Sequence, residues 1–256
     1  MAFGMELYAS DGTLQADCNL LGYFCRKSGS GTVTSTASAP LTYGNTVPAT
    51  LTVPISGMGY SYPIVAVSCP GYQVARGMNT YGGDYRYATD APVGTAFTYY
   101  VFEYSADLPS STYGIELYDP SSGNITFSSN YHPLQVLNIL TSGSATHTGK
   151  TLAVGLPQVG GFRTAGGVDY YGGSHPTWIP VLDGDPYTGT GYQNDADLYG
   201  GAVNAAKDQV TFGSVSFDDV YFGPFAGDIS VSPNFDYVCP VLVVDVTNIP
   251  LSTTFF

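Results

Sequence analysis

The chain has 256 residues and a formal net charge of −13, with 44% apolar and only 11% charged residues. A core of ordinary size is within reach, which excludes global disorder, but three Lys and three Glu cannot coat the exposed faces of amphipathic helices. An all-helical fold and a heptad coiled coil are excluded with them.

The charge balance also selects against partners. Seven basic residues, scattered apart from Arg26-Lys27, give no surface that could displace counterions from a phosphate backbone, so no nucleic acid is expected. An anionic membrane is disfavoured for the same reason, and no apolar run approaches the roughly 18–20 residues needed to cross a bilayer. Met1 to Leu7 lack a basic region followed by an apolar stretch, so no secretory signal is expected and the chain reads as a cytoplasmic product.

In chain order, Phe3, Met5 and Leu7 alternate with polar residues, a Ser10-Asp11-Gly12 turn follows, and Leu14 and Ala16 resume the alternation. That pattern predicts a β-hairpin with one buried face. Tyr23 and Cys25 mark a third strand that leaves through Ser28-Gly29-Ser30. Pro63–Val67 and Tyr99–Glu103 read as further strands, the latter closing a unit before the polar stretch Asp107–Thr112. The four cysteines, Cys18, Cys25, Cys69 and Cys239, have no CxxC spacing. They read as small buried hydrophobes, with Cys18 and Cys25 able to face each other on consecutive strands.

The opening then repeats. Gly4, Glu6, Leu7 and Tyr8 recur as Gly114, Glu116, Leu117 and Tyr118; Leu14 and Ala16 match Ile125 and Phe127; Tyr23 and Cys25 match Leu134 and Val136. Pro240–Asp245 closes the second unit as Tyr99–Glu103 closes the first, and Trp178–Val181 is taken as the counterpart of Pro63–Val67. A period of about 110 residues is too long for a solenoid and suits a β domain. The expectation is an all-β protein with very little helix: two tandem β-sandwich or small-barrel domains, 1–110 and 111–256, the second repeating the first with enlarged loops. The one helical stretch expected is a turn or two at Ala202–Lys207.

Enzyme motifs are absent: there is no HExxH, GxSxG or GxxxxGK[ST], and His132, His147 and His175 are dispersed. No catalytic residue is assigned and no enzyme is expected. Two constellations remain. Asp183-Gly184-Asp185 and Asn194-Asp195-Ala196-Asp197 alternate oxygen ligands as a calcium loop would, making Asp183, Asp185, Asp195 and Asp197 the metal candidates. The spacing is not that of an EF-hand, and a solvated acidic loop with no cofactor is the plainer reading; paired carboxylates from this region are what a polysaccharide hydrolase would need. The second is tyrosine: Tyr81, Tyr85, Tyr171, Tyr187, Tyr192 and Tyr199, with Tyr87 and Tyr170 beside them, offer rigid faces with polar tips for interfaces or sugar rings. Cross-strand packing is the competing use.

The repeated motif, Phe3 to Cys18 and Tyr113 to Ser129, resembles that of small virion proteins encoded beside the tail genes of tailed bacteriophages. The resemblance implies a structural subunit of the distal tail (tail tip, baseplate or tail fibre) assembled in the bacterial host cytoplasm. Other virion tail proteins, further copies of itself, and a host surface glycan or receptor are the partners it implies. A receptor- or carbohydrate-binding module on the virion is the alternative, and a capsid decoration protein a further one. The apolar stretch Ile249 to Phe256 is expected to pack on a neighbouring chain or back on its own domain.

Overall fold

In a computed structural model of the chain, the residues described are 6–8, 14–17, 22–34, 49–55, 63–76, 84–110, 113–156, 171–180, 186–222 and 240–251; for 6–8, 14–17, 76, 171–180, 186–199 and 216–222 the description is of the backbone. The chain is nearly all β, as expected. The first half supplies β1 (Glu6–Tyr8), β2 (Leu14–Asp17), β3 (Tyr23–Thr32), β4 (Ala49–Val53), β5 (Ile64–Ser68), β6 (Gln73–Arg76), β7 (Tyr85–Thr89) and β8 (Ala96–Tyr104). The second supplies β9 (Glu116–Tyr118), β10 (Ile125–Ser128), β11 (His132–Pro133), β12 (Val136–Leu140), β13 (Ser144–Thr146), β14 (Leu152–Leu156), β15 (Tyr171–Pro180), β16 (Pro186–Val203), β17 (Gln209–Phe222) and β18 (Val241–Asp245). A 3-10 turn at Ser105–Asp107 is the single helical element among the described residues.

The strands form two seven-stranded sheets and two hairpins, β1-β2 and β9-β10. The first sheet runs β11-β3-β8-β5-β14-β18-β12, and the second β13-β17-β16-β6-β7-β4 with β15 added on β16. Both sheets cross from one half of the chain to the other, through β5-β14 (Val67 opposite Val154) and β6-β16 (Val74 opposite Gly201).

Side-chain alternation explains the layering. Along β8, Phe97, Tyr99 and Val101 face one apolar cluster while Tyr100 and Phe102 face another, so this central strand is buried on both faces and reads as a nearly continuous apolar run. The first cluster fills the space between the sheets, joining Val65, Val67, Val154 and Val243 to Leu51, Val74, Tyr87 and Val210. The second lies inside the first sheet, which curls into a half-barrel. Its outermost strands, β11 and β12, are separated only by Leu134 and Gln135; the Leu134 amide donates to Tyr23 O at 2.8 Å, and Gln135 O accepts from the Asp245 amide at 3.0 Å.

The half-barrel is filled by the segment that follows β18. Val246 and Ile249 join Cys25, Ala66, Phe102 and Val244, and the Ser28 hydroxyl donates to Pro250 O at 2.5 Å. That segment thus packs back on its own fold, while residues 252–256 lie outside the described residues. Cys25 and Cys69 are buried and free, and burial pushes their thiols up to about 12 and about 11, so both are inert packing groups. Cys18 and Cys239 lie outside the described residues.

The helix expected at Ala202–Lys207 is instead the end of β16 and a tight turn into β17. The Asn204 side chain accepts from the amides of Asp208 (3.0 Å) and Gln209 (3.3 Å), and Lys207 takes a positive φ of 62°. Such an Asx cap competes with helix for the same backbone donors, and here the paired strands on either side decide the outcome.

Candidate interaction surface

The sequence candidates disperse. Asp183, Asp185 and Tyr81 lie outside the described residues. Asp195 and Asp197 sit in β16, opposite Asp218 and Ser216 of β17, with Tyr171 of β15 across from Asp195 on the other side. Tyr187, Tyr192 and Tyr199 occupy positions along the same strand, opposite Ile179, Ser174 and Ser214 respectively. Among the described residues no group of three or more His, Cys, Asp or Glu could hold a metal ion. Tyr87 is buried between the sheets and Tyr85 packs against it from the rim, so these two serve the core.

Two buried carboxylates are set at the ends of central strands. A bulge in β3, where Cys25 pairs with Phe102 but Lys27 with Val101, turns Arg26 out of the ladder. Its guanidinium Nε lies 3.3 Å from Glu103 Oε2, and Nη1 donates to the Tyr131 hydroxyl at 3.3 Å with the ring 5.9 Å beneath. Phe24 meets Phe127 edge-on at 6.1 Å, so the β9-β10 hairpin closes over this end of the sheet. Burial pushes the Glu103 carboxyl up to about 7, opposed by Arg26 and reinforced by Asp107. A carboxyl that titrates near neutrality suits acid–base chemistry only where substrate reaches it. Glu103 is covered, and its carboxyl pairs with Arg26, which in turn donates to Tyr131 just beyond β10.

Because its folded pKa stands above the ordinary 4.5, Glu103's stabilising contribution is complete below that pH and is lost as pH rises through about 7. The wild-type protein is therefore expected to lose about 2 kcal/mol between pH 5 and pH 8 that Glu103→Gln does not lose, measured by urea unfolding at each pH.

At the end of β18, Asp245 is buried and ion-paired to Lys150 Nζ at 2.7 Å. It also accepts from the Thr247 amide at 2.9 Å and the Thr247 hydroxyl at 2.5 Å. Burial alone would raise its pKa; these hydrogen bonds outweigh it and hold the carboxyl below the usual range. The cleft beside it, lined by His132, Pro133, Gln135, Asp245, Asn248 and Ile249, holds about 90 Å³, well short of the roughly 300 Å³ at which small-molecule sites begin.

What stands out is the surface of the second hairpin. Tyr113, Ile115 and Tyr118 are 76%, 59% and 45% exposed, although the alternation of Tyr113 and Ile115 with Leu117 was expected to mark a buried face. The buried face is carried instead by Ile125 and its neighbours on β10, which pack with Phe24, Leu108 and Tyr131. The display is built in. Gly114 has φ +97° and no room for a side chain, since a Cβ would lie 2.6 Å from Ser129 Oγ. Asn130 Nδ2 donates to Tyr113 O at 2.6 Å, and the Ile115 amide donates to Ser129 Oγ at 2.9 Å. Val136 and Ile139 are exposed as well, on β12, at one end of the first sheet's strand order. Exposed apolar side chains on a braced scaffold can do little chemistry and are suited to protein contact. The signal in the sequence was the repeated motif itself, whose apolar residues need not all point inward. Comparison with protein-family models, with curated proteins and with solved structures finds no match.

Proposed function

We propose that the chain is a non-enzymatic structural subunit of a bacteriophage virion, placed in the distal tail (tail tip, baseplate or fibre) and making permanent contacts with other tail proteins and with further copies of itself. The observation that carries this reading is the repeated motif that resembles phage tail-region proteins. In its second copy that motif presents Tyr113, Ile115 and Tyr118 to solvent on a hairpin fixed by Gly114. Permanent interfaces favour aromatic and apolar residues held rigidly before contact, because little side-chain entropy is then lost on docking. A glycan-binding role draws on the tyrosines, and two of those, Tyr85 and Tyr87, are spent on the core.

The test is antibody labelling of purified particles by electron microscopy. Label at the distal tail supports the reading; label over the head moves the protein to capsid decoration; unlabelled intact and disrupted particles remove it from the virion. The double variant Tyr113→Ser with Ile115→Ser is expected to keep the wild-type unfolding free energy within about 0.5 kcal/mol while its incorporation into particles falls at least tenfold. Undiminished incorporation would exclude this hairpin from the contact.

A further inference from the structure

We infer that the chain is a fused two-fold pair, in which one eight-stranded unit occurs twice and the copies face each other across a single axis. Strand order points to it first. Matching β3, β5 and β8 with β12, β14 and β18 makes the first sheet read the same from both ends: β3-β8-β5, then β14-β18-β12. Matching β4, β6 and β7 with β13, β16 and β17 does the same for the second: β4-β7-β6, then β16-β17-β13. The counterpart of β5 is therefore β14 rather than the Trp178–Val181 stretch.

Register carries the inference further. In the β1-β2 hairpin, Glu6, Leu7 and Tyr8 pair with Asp17, Ala16 and Leu14, skipping Gln15. In β9-β10, Glu116, Leu117 and Tyr118 pair with Ser128, Phe127 and Ile125, skipping Thr126. The larger strands repeat the match. Cys25 pairs with Phe102 and Lys27 with Val101, skipping Arg26; Val136 pairs with Val244 and Asn138 with Val243, skipping Leu137. A bulge is a local device that no apolar pattern demands. Two of them at matching residues are hard to obtain except from one unit used twice. The strand-end acids follow suit, with Glu103 matching Asp245, each buried and held by one base.

The axis can be placed. An isologous contact pairs a residue with its own counterpart on the axis. At the β5-β14 seam, aligning Val65 with Val154 and Val67 with Leu156 makes Ala66 and Gly155 counterparts, and these two are paired. On the opposite wall of the half-barrel the Leu134 amide meets Tyr23 O, and Tyr23 and Leu134 stand at the same offset as Cys25 and Val136. The interaction surface is thus the edge made by β5 and β6, and the partner it fits is a second copy of the unit, supplied by the same chain. Among the described residues β11 and β15 have no matching strand in the first unit; β15 stands between β14 and β16, where the first unit has only residues 69–72 between β5 and β6, which marks it as an addition to the second.

The inference rests on register and stands whichever role the protein plays. It is tested on the full chain carrying a protease site inserted between Ser110 and Tyr113 and cut after folding. The nicked protein is expected to elute at the size of the intact chain, to melt in one transition, and to lose structure in both pieces together when they are forced apart in urea. In a crystal structure, residues 23–29, 63–67 and 99–103 are expected to superpose on 134–140, 152–156 and 241–245 by a rotation of about 180° with no shift along the axis. Two pieces that separate and stay folded alone, or a rotation far from a half-turn, would overturn it.

Discussion

Replacing Gly200 with alanine is expected to cost about 3 kcal/mol or more, the largest loss from a single methyl group among the described glycines. Gly200 lies in β16 opposite Ala75 of β6, where the second sheet passes from one half of the chain to the other. A Cβ there would stand 2.0 Å from Val74 O and 2.6 Å from Ala75 Cα, and both are backbone atoms of a paired strand. No rotamer change relieves that overlap, so the strands must part. Gly201, one residue on, is the control: its Cβ would meet Val241 at 3.2 Å and Thr211 O and Val154 at 3.3 Å, with no overlap under 3.0 Å, and Gly201→Ala is expected to cost about 1 kcal/mol. Urea unfolding midpoints of the two variants, compared at unchanged slope, measure the difference. Equal midpoints would mean that β6 and β16 do not approach as closely as described.

Asp245→Ala is expected to destabilise the protein by about 3 kcal/mol at neutral pH, because it strips the buried end of β18 of an ion pair and leaves the Thr247 amide without its acceptor. Asp245→Asn, which keeps an oxygen for Thr247, should lose about half as much. The pH dependence runs opposite to that of Glu103. A carboxylate held below the ordinary 3.8 contributes stability above that pH and loses it as pH falls, so the gap between wild type and Asp245→Ala should close on acidification. Stability measured from pH 7 down to pH 3 checks this. A gap that stays constant would show that Asp245 acts through packing rather than charge.

Much of the fold was legible where it is local. The alternation of Leu7, Leu14 and Ala16 pointed to the first hairpin, and that of Leu117, Ile125 and Phe127 to the second, though not to their register. Tyr23 and Cys25 lie on a third strand, β3, and Val136 opens β12. Non-local pairing was not legible. Leu152–Leu156 is a five-residue apolar run with no periodicity to say which strands it joins, and it proves to link the halves. β16 could not be foreseen from propensity, since Gly, Asp and Asn are poor strand formers and only its pairing with β15, β17 and β6 makes it one. Of the candidate site residues, Tyr85 and Tyr87 were drawn into the core by the same apolar character that made them candidates. The exposed trio on the second hairpin escaped notice because burial on a two-stranded ribbon depends on what the ribbon lies against, here the β10 side.

The join at Val67 and Val154 also sets a timetable. A ribosome adding roughly 5–20 residues per second releases β5 several seconds before β14 exists to pair with it. Throughout that interval the residues of β5 and β6 lack the strands they finally pair with, and neither stretch carries a lysine. Neighbouring ribosomes on one message would present identical edges to each other, and the contact that completes a molecule in cis would be open to a stranger in trans. Yield on overexpression should therefore fall with polysome density, and slowing initiation rather than elongation should recover it.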